Sequence, residues 1–211
     1  MGDLGHFTSL SSFMAMSQLP DDCPPDSYWL KDVFQEEDLH TEEGRRLTGG
    51  RDNYNWLALA ARFLNPARVV EFGVRYGYSL ACFIQGSARG RLEIWSFDCN
   101  EQNVEIARRV LDRYRPRAEF YYSLADTRQL LPPLRLEEID LCYLDACHEE
   151  FGVQREMDLV WPTLRPGGLL LVDDVETNDG AHRGLRAWCR GKKLAYKVFP
   201  STEGLGAIVK P

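Results

Sequence analysis

Two acidic strand ends and one histidine carry the densest chemistry in this chain. Asp145 closes the apolar run DLCYLD, and Asp173 and Asp174 close LLLVDD. If the two runs are neighbouring strands, their ends lie about 5 Å apart and the carboxylates converge. Like charges that close repel one another unless something positive sits among them. A hard divalent cation that prefers oxygen ligands, such as Mg²⁺, suits such a cluster. The competing reading is that one acid caps a helix and another faces water. His148 follows Asp145 by three residues. Near neutral pH an imidazole there can take the proton of a substrate hydroxyl, an effect of roughly 10²–10⁴-fold in rate. A solvent-exposed histidine opening the next helix is the bland alternative.

A second group lies upstream, in VVEFGVRYGYSL. Gly73 and Gly77 let the backbone approach a ligand closely, and a helix starting near Gly77 offers free N–H groups. The spacing lacks the third glycine of the dinucleotide fingerprint. Glu71 precedes the glycines, where it can hold a cationic or hydroxylated part of a ligand. A tight strand-to-helix turn without a ligand is as good an explanation of this stretch alone. Asp98 ends the next strand, WSFD, where a carboxylate can accept both hydroxyls of a ribose; its other reading is an N-cap for the helix beginning near Glu101.

These residues need strands and helices to bring them together, and the chain supplies them in alternation. Helical YNWLALAARFL precedes the strand ARVVEF, and LEIWSF, AEFYYS, IDLCYLD and LLLVDD follow as strands with helical segments between them. One of these helices carries Phe151, Val153, Met157, Val160, Trp161 and Leu164 on a stripe and stops at RPGG. Continuous apolar strands are expected in a parallel sheet covered on both faces. The order predicts an α/β, Rossmann-like, doubly wound and mostly parallel sheet. At the C-terminus AYKVFP and LGAIVK are separated only by the turn STEG, so they must be antiparallel. Residues 1–50 read as an irregular or helical extension, a lid or subunit contact with a short helix in SYWLKDVFQEED. Residues 51–211 read as the catalytic domain. The apolar side chains Phe7, Phe13, Trp29 and Phe34 suggest a contact surface for a homo-oligomer, or ordinary core.

Taken in order, EFGVRYG, FDCN, DLCYLDACH and LRPGGLLLVDDV resemble the class I S-adenosylmethionine-dependent methyltransferases over residues 51–211. The resemblance implies a seven-stranded sheet with an antiparallel C-terminal strand. It implies that the loop of Glu71, Gly73 and Gly77 cradles the methionine part of the cofactor and that Asp98 binds its ribose. Ser79 matches a position that touches the methionine carboxylate, and Ser123 to Ala125 match the adenine contacts. Ser123 and Leu124 stand where the family commonly has a glycine-acid pair. The stretch from 144 to 175 is similar to two kinds of O-methyltransferase. In the catechol and caffeoyl-CoA type, acids at the positions of Asp145 and Asp173, with an asparagine at that of Asp174, bind a divalent metal. In the macrocin type an Asp-x-x-His sequence matches Asp145 and His148, and this group is the closer. Together they imply methyl transfer to a hydroxyl, with Asp145, Asp173 and Asp174 on Mg²⁺ and His148 as base.

Composition narrows the partners. A net charge of −7 disfavours nucleic acid, which needs a basic surface. No apolar run reaches the roughly 20 residues that cross a bilayer. The N-terminus does not read as a signal peptide, and six scattered cysteines form neither a disulfide framework nor a paired zinc motif. The expectation is a cytoplasmic enzyme acting on a small hydroxylated molecule, with no nucleic-acid or membrane partner. The alternatives are an NAD(P)-dependent oxidoreductase and a non-catalytic nucleotide-binding domain.

Overall fold

The computed structural model describes residues 9–21, 23, 53–130, 134 and 136–211. The segment expected to form a helix in SYWLKDVFQEED lies outside them, as do Phe7, Trp29 and Phe34.

Helix α1 (Leu10–Ala15) is capped by Ser9, whose hydroxyl accepts the Ser12 N–H at 3.3 Å. Then come α2 (Asn53–Leu64), β1 (Arg68–Phe72), α3 (Tyr78–Gly86), β2 (Leu92–Asp98) and α4 (Glu101–Leu111). The chain continues with β3 (Ala118–Leu124), β4 (Ile139–Leu144), α5 (Glu150–Val160), β5 (Leu164–Val172), α6 (Asp179–Lys192), β6 (Lys197–Phe199) and β7 (Leu205–Val209). The seven strands form one sheet in the order β3-β2-β1-β4-β5-β7-β6, parallel except for β7, which runs against both its neighbours. The expected doubly wound sheet with a reversed C-terminal strand is what the chain forms.

Strands β1 and β4 lie in the centre, and their side chains are almost all buried. Apolar residues cover both faces of the sheet because helices pack on each. Phe13 is fully buried against Phe199 and Trp56, with ring centroids 4.5 and 6.1 Å away. Of the two readings of Phe13, contact surface or core, the structure selects the core.

Two expectations for α5 are corrected. Phe151 is 84% exposed. At about 100° per residue it points roughly opposite to Val153, whose side chain is buried with those of Met157 and Val160. Leu164 and the RPGG turn belong to β5 rather than to the end of the helix, with a register shift between Ile139 and Leu141 on β4. All six cysteines are free. Among the described residues no helix is long and apolar enough to cross a membrane.

Candidate active site

The carboxyl ends of β1, β2, β4 and β5 meet at one cavity of about 800 Å³. Backbone hydrogen bonds hold these ends in step: Gly73 N–H to Phe97 O (2.8 Å), Asp145 N–H to Phe72 O (2.9 Å) and Asp173 N–H to Leu144 O (3.0 Å). The first turn passes so close to β4 that a Cβ on Gly73, at φ +90°, would stand 2.4 Å from the Asp145 carbonyl oxygen. Gly77, at φ +79°, starts α3 with no side-chain cap, leaving the first backbone N–H groups of that helix available.

Glu71 is wholly buried. Its two oxygens accept the hydroxyls of Ser79 and, at 3.2 Å, Ser96, its register partner on β2. Burial raises its pKa to about 8 against the opposing hydrogen bond from Ser79. Ser79 reaches an inner recess of about 40 Å³ between α2 and the β1 turn, so Glu71 meets that space through Ser79.

Asp98 lines the main cavity at the end of β2. Its oxygens accept the backbone N–H of Arg75 (3.0 Å), that of Asn100 (2.8 Å) and the Asn103 amide. The cap of α4 is Asn100, which accepts the Gln102 N–H; the capping alternative for Asp98 is thereby corrected. Asp98 instead braces the glycine loop. Ala125 lines the cavity beside it, its N–H on Asp98 O at 2.9 Å. Ser123 is exposed and pairs in register with Phe97, one position before the strand end.

Across the cavity, His148 Nε2 lies 3.0 Å from Asp174 Oδ2 and 3.5 Å from Asp145 Oδ1. Nε2 is buried and makes no hydrogen bond of good geometry among the described residues. The contact is an ion pair. Asp145 first, then Asp174, favours the protonated imidazole and raises its pKa to about 10. Asp173 is placed differently: it is buried, accepting the Tyr143 hydroxyl (2.6 Å) and the Asn53 amide (2.7 Å). Burial, then the charge of Asp145, raises its pKa well above the carboxylate range.

Among the described residues, two sets of ligand atoms lie within 4.8 Å of one another, Asp145 with His148 and Asp174, and Asp173 with Asp174 and Glu203. Sequence reasoning did not find Asn53, Glu203, Arg75, Thr127 or Arg128, all of which line these cavities. Glu203 arrives from the turn between β6 and β7, and Asn53 from the first residue of α2. Neither position carries a local motif.

The methyltransferase domain family matches residues 70–175 of the chain. An O-methyltransferase of Aspergillus hancockii, hkm8, is 29% identical over 119 residues, 56% of this chain and 47% of that protein. The chain thus spans about half the length of that relative. The SAH-bound methyltransferase PaMTH1 of Podospora anserina superposes with a TM-score of 0.59 at 20% identity, covering 95% of this chain and 93% of the other. An O-methyltransferase of Bacillus cereus in complex with SAH gives 0.61 at 19% identity, covering 88% and 96%. With half of its length matched, and with strand ends that converge on one cavity as described, the chain belongs to the methyltransferase domain family, of the class I S-adenosylmethionine-dependent kind.

Proposed function

We propose that the protein transfers a methyl group from S-adenosylmethionine to a hydroxyl of a small molecule. The observation that carries this reading is that Asp98 and His148 line one cavity, at the ends of β2 and β4, with the glycine turn of β1 between those strands. Asp98 suits the ribose hydroxyls, Ala125 and its neighbours the adenine, and the recess at Ser79 the methionine end. That leaves the sulfonium toward Asp145 and His148.

The donor set also fits a divalent cation. Asp145, Asp173 and Asp174 put three carboxylates in one place, and His148 Nε2 lies within 3.5 Å of two of them. Asp145 and Asp174 are the first candidates to hold the ion; Asp173 has already committed each oxygen to one donor. A divalent cation held by Asp145 and Asp174 would supply Lewis-acid polarisation of an acceptor hydroxyl and so lower its pKa.

His148, once its own proton has passed to solvent, accepts the hydroxyl proton at Nε2. The oxygen attacks the methyl carbon in line, the C–S bond breaks with its electrons passing to sulfur, and the thioether product remains. Holding oxygen and methyl in contact supplies several kcal/mol of the barrier. The net charge of −7 and the acids around the cavity favour a neutral or cationic acceptor over a polyanion.

Calorimetry with S-adenosylmethionine and S-adenosylhomocysteine, with Mg²⁺ and with chelator, tests the cofactor half. Micromolar binding is expected for both. Absence of binding by either form sinks the proposal. Release of S-adenosylhomocysteine with catechol-type and sugar hydroxyl acceptors then tests the chemistry.

A further inference from the structure

The two edges of the sheet are finished differently. Strand β6 is three residues long, carries Lys197 and runs into Pro200. A short length, a lysine and a proline are means by which natural sheets keep an edge from pairing with another chain. Strand β3, at the other edge, has seven residues, with no proline, no lysine and no register break against β2. Glu119 is its one charged residue. Among the described residues β3 pairs with β2 alone.

Backbone hydrogen bonds tell which groups of β3 are open. Leu92 N–H donates to Arg117 O and Ala125 N–H to Asp98 O, both at 2.9 Å, so the odd-numbered residues face β2. The N–H and C=O groups of Ala118, Phe120, Tyr122 and Leu124 therefore point away from the sheet. Exposed apolar side chains gather on the same strand. Of the three exposed large hydrophobics among the described residues, Tyr121 and Leu124 belong to β3, at 43% and 58%. Tyr121 also stacks on Trp95, with ring centroids 5.2 Å apart. Apolar residues scattered singly need no explanation, but a cluster on an unpaired edge marks a contact surface.

We infer that β3 binds a second copy of this chain, the two strands pairing antiparallel about a two-fold axis at Tyr121. A two-fold interface uses one patch twice, so the strand has to complement itself. In this register it does. Phe120 stands opposite the partner's Tyr122, and Ala118 opposite the partner's Leu124, so all four outward residues exchange both backbone bonds. The aromatic cross-strand pairs add to that ladder. Glu119 meets the partner's Ser123, and no charge faces its like. A shift of one residue would set outward groups against inward ones. A shift of two would leave Leu124 or Ala118 opposite a residue outside the strand. Because β6 is protected, association stops at two. The pairing rests on the strand alone and holds whatever the cavity binds.

Sedimentation equilibrium of the whole chain is expected to give twice the chain mass. A single chain mass at the highest concentration reached, or a series of larger species, overturns the inference. Tyr121→Lys sets two like charges face to face on the axis at an exposed position, and should raise the dimer Kd tenfold or more. An unchanged Kd in that variant places the contact elsewhere and overturns the inference.

Tyr121→Cys tests the register and serves if the lysine variant does not fold. Residues facing each other across such an axis have Cα atoms about 4.5 Å apart, within reach of a disulfide. Oxidation with diamide should therefore link two Tyr121→Cys chains. Ser123→Cys, which faces the partner's Glu119, should link no more than the wild type with its exposed Cys99. Linkage at 121 no greater than in the wild type, or greater at 123 than at 121, overturns the inference.

Discussion

Asn53 and Asp173 are separated by 120 residues of chain and meet at 2.7 Å, the side-chain amide donating to Oδ1. Tyr143 occupies Oδ2, so the innermost carboxyl of the site is held by one helix start and one neighbouring strand. Asn53→Ala leaves that buried group with one donor fewer, at a cost of about 1–3 kcal/mol. For a chain of this size each kcal/mol lowers the melting temperature by about 2–4 °C. Asn53→Asp should cost more, because it adds a charge beside Asp173 and Glu203. Urea and thermal unfolding of the two variants check both magnitudes; an unchanged midpoint for Asn53→Asp would show that the pairing carries no energy.

That contact also marks where sequence reading ends. The alternation of strands and helices was legible because each element needs only its own run of apolar residues. The reversed last strand was legible because STEG is too short for a crossover. Asp145 and His148 were legible as a pair because both sit on one short loop after β4. Asn53 and Glu203 were not: Asn53 meets Asp173 across 120 residues of chain and Glu203 across 150, and nothing in their neighbours announces it. Phe151 misled for a related reason. A helical stripe shows which residues share a face, yet the partner that covers the face decides where the stripe begins.

Stability should fall as pH rises through neutrality. Burial raises Glu71 from the usual 4.5 to about 8 and Glu156 to about 7, and Asp145 with Asp174 raises His148 from 6.5 to about 10. Each group holds its proton more tightly folded than unfolded. Its stabilising contribution is complete below the unfolded value and is lost as pH climbs through the folded one. The part due to Glu71 should disappear in Glu71→Gln, which keeps an acceptor for Ser79 without the ionisation. Melting temperatures from pH 5 to pH 9 are expected to fall for the wild type and to fall less for the variant between pH 5 and pH 8. Parallel curves would mean that Glu71 does not titrate there.

The glycine turn should be intolerant at one position and softer at the next. A Cβ at Gly73 meets the Asp145 carbonyl at 2.4 Å, and backbone on both sides of that contact has little room to move. At Gly77 the obstacle is the side chain of Leu111, at 2.7 Å, which can rotate. Both positions also strain an L residue, since φ is +90° and +79°. Gly73→Ala is expected to weaken S-adenosylhomocysteine binding tenfold or more and Gly77→Ala by a smaller factor, read by calorimetry on folded protein. The reverse order would mean that the turn is not held against β4.

His148 should separate binding from turnover. Its imidazole faces Asp145 and Asp174, past the end of β4, whereas Asp98 ends β2, so removing it leaves the proposed ribose and adenine contacts in place. His148→Ala is expected to keep the cofactor affinity within about threefold and to lower kcat by roughly 10²–10⁴-fold, the range for loss of a positioned base. The same variant tests the cation site independently of any acceptor. Without the imidazole, Asp145 and Asp174 lose a neighbouring positive charge, and their mutual repulsion favours a divalent ion more strongly. Mg²⁺ titrated into His148→Ala should therefore bind at least as tightly as into the wild type, provided His148 is not itself a ligand. Weaker binding would make the imidazole a ligand rather than a free base, and Asp174→Asn, which takes a charge from the same cluster, should then weaken Mg²⁺ binding in both backgrounds.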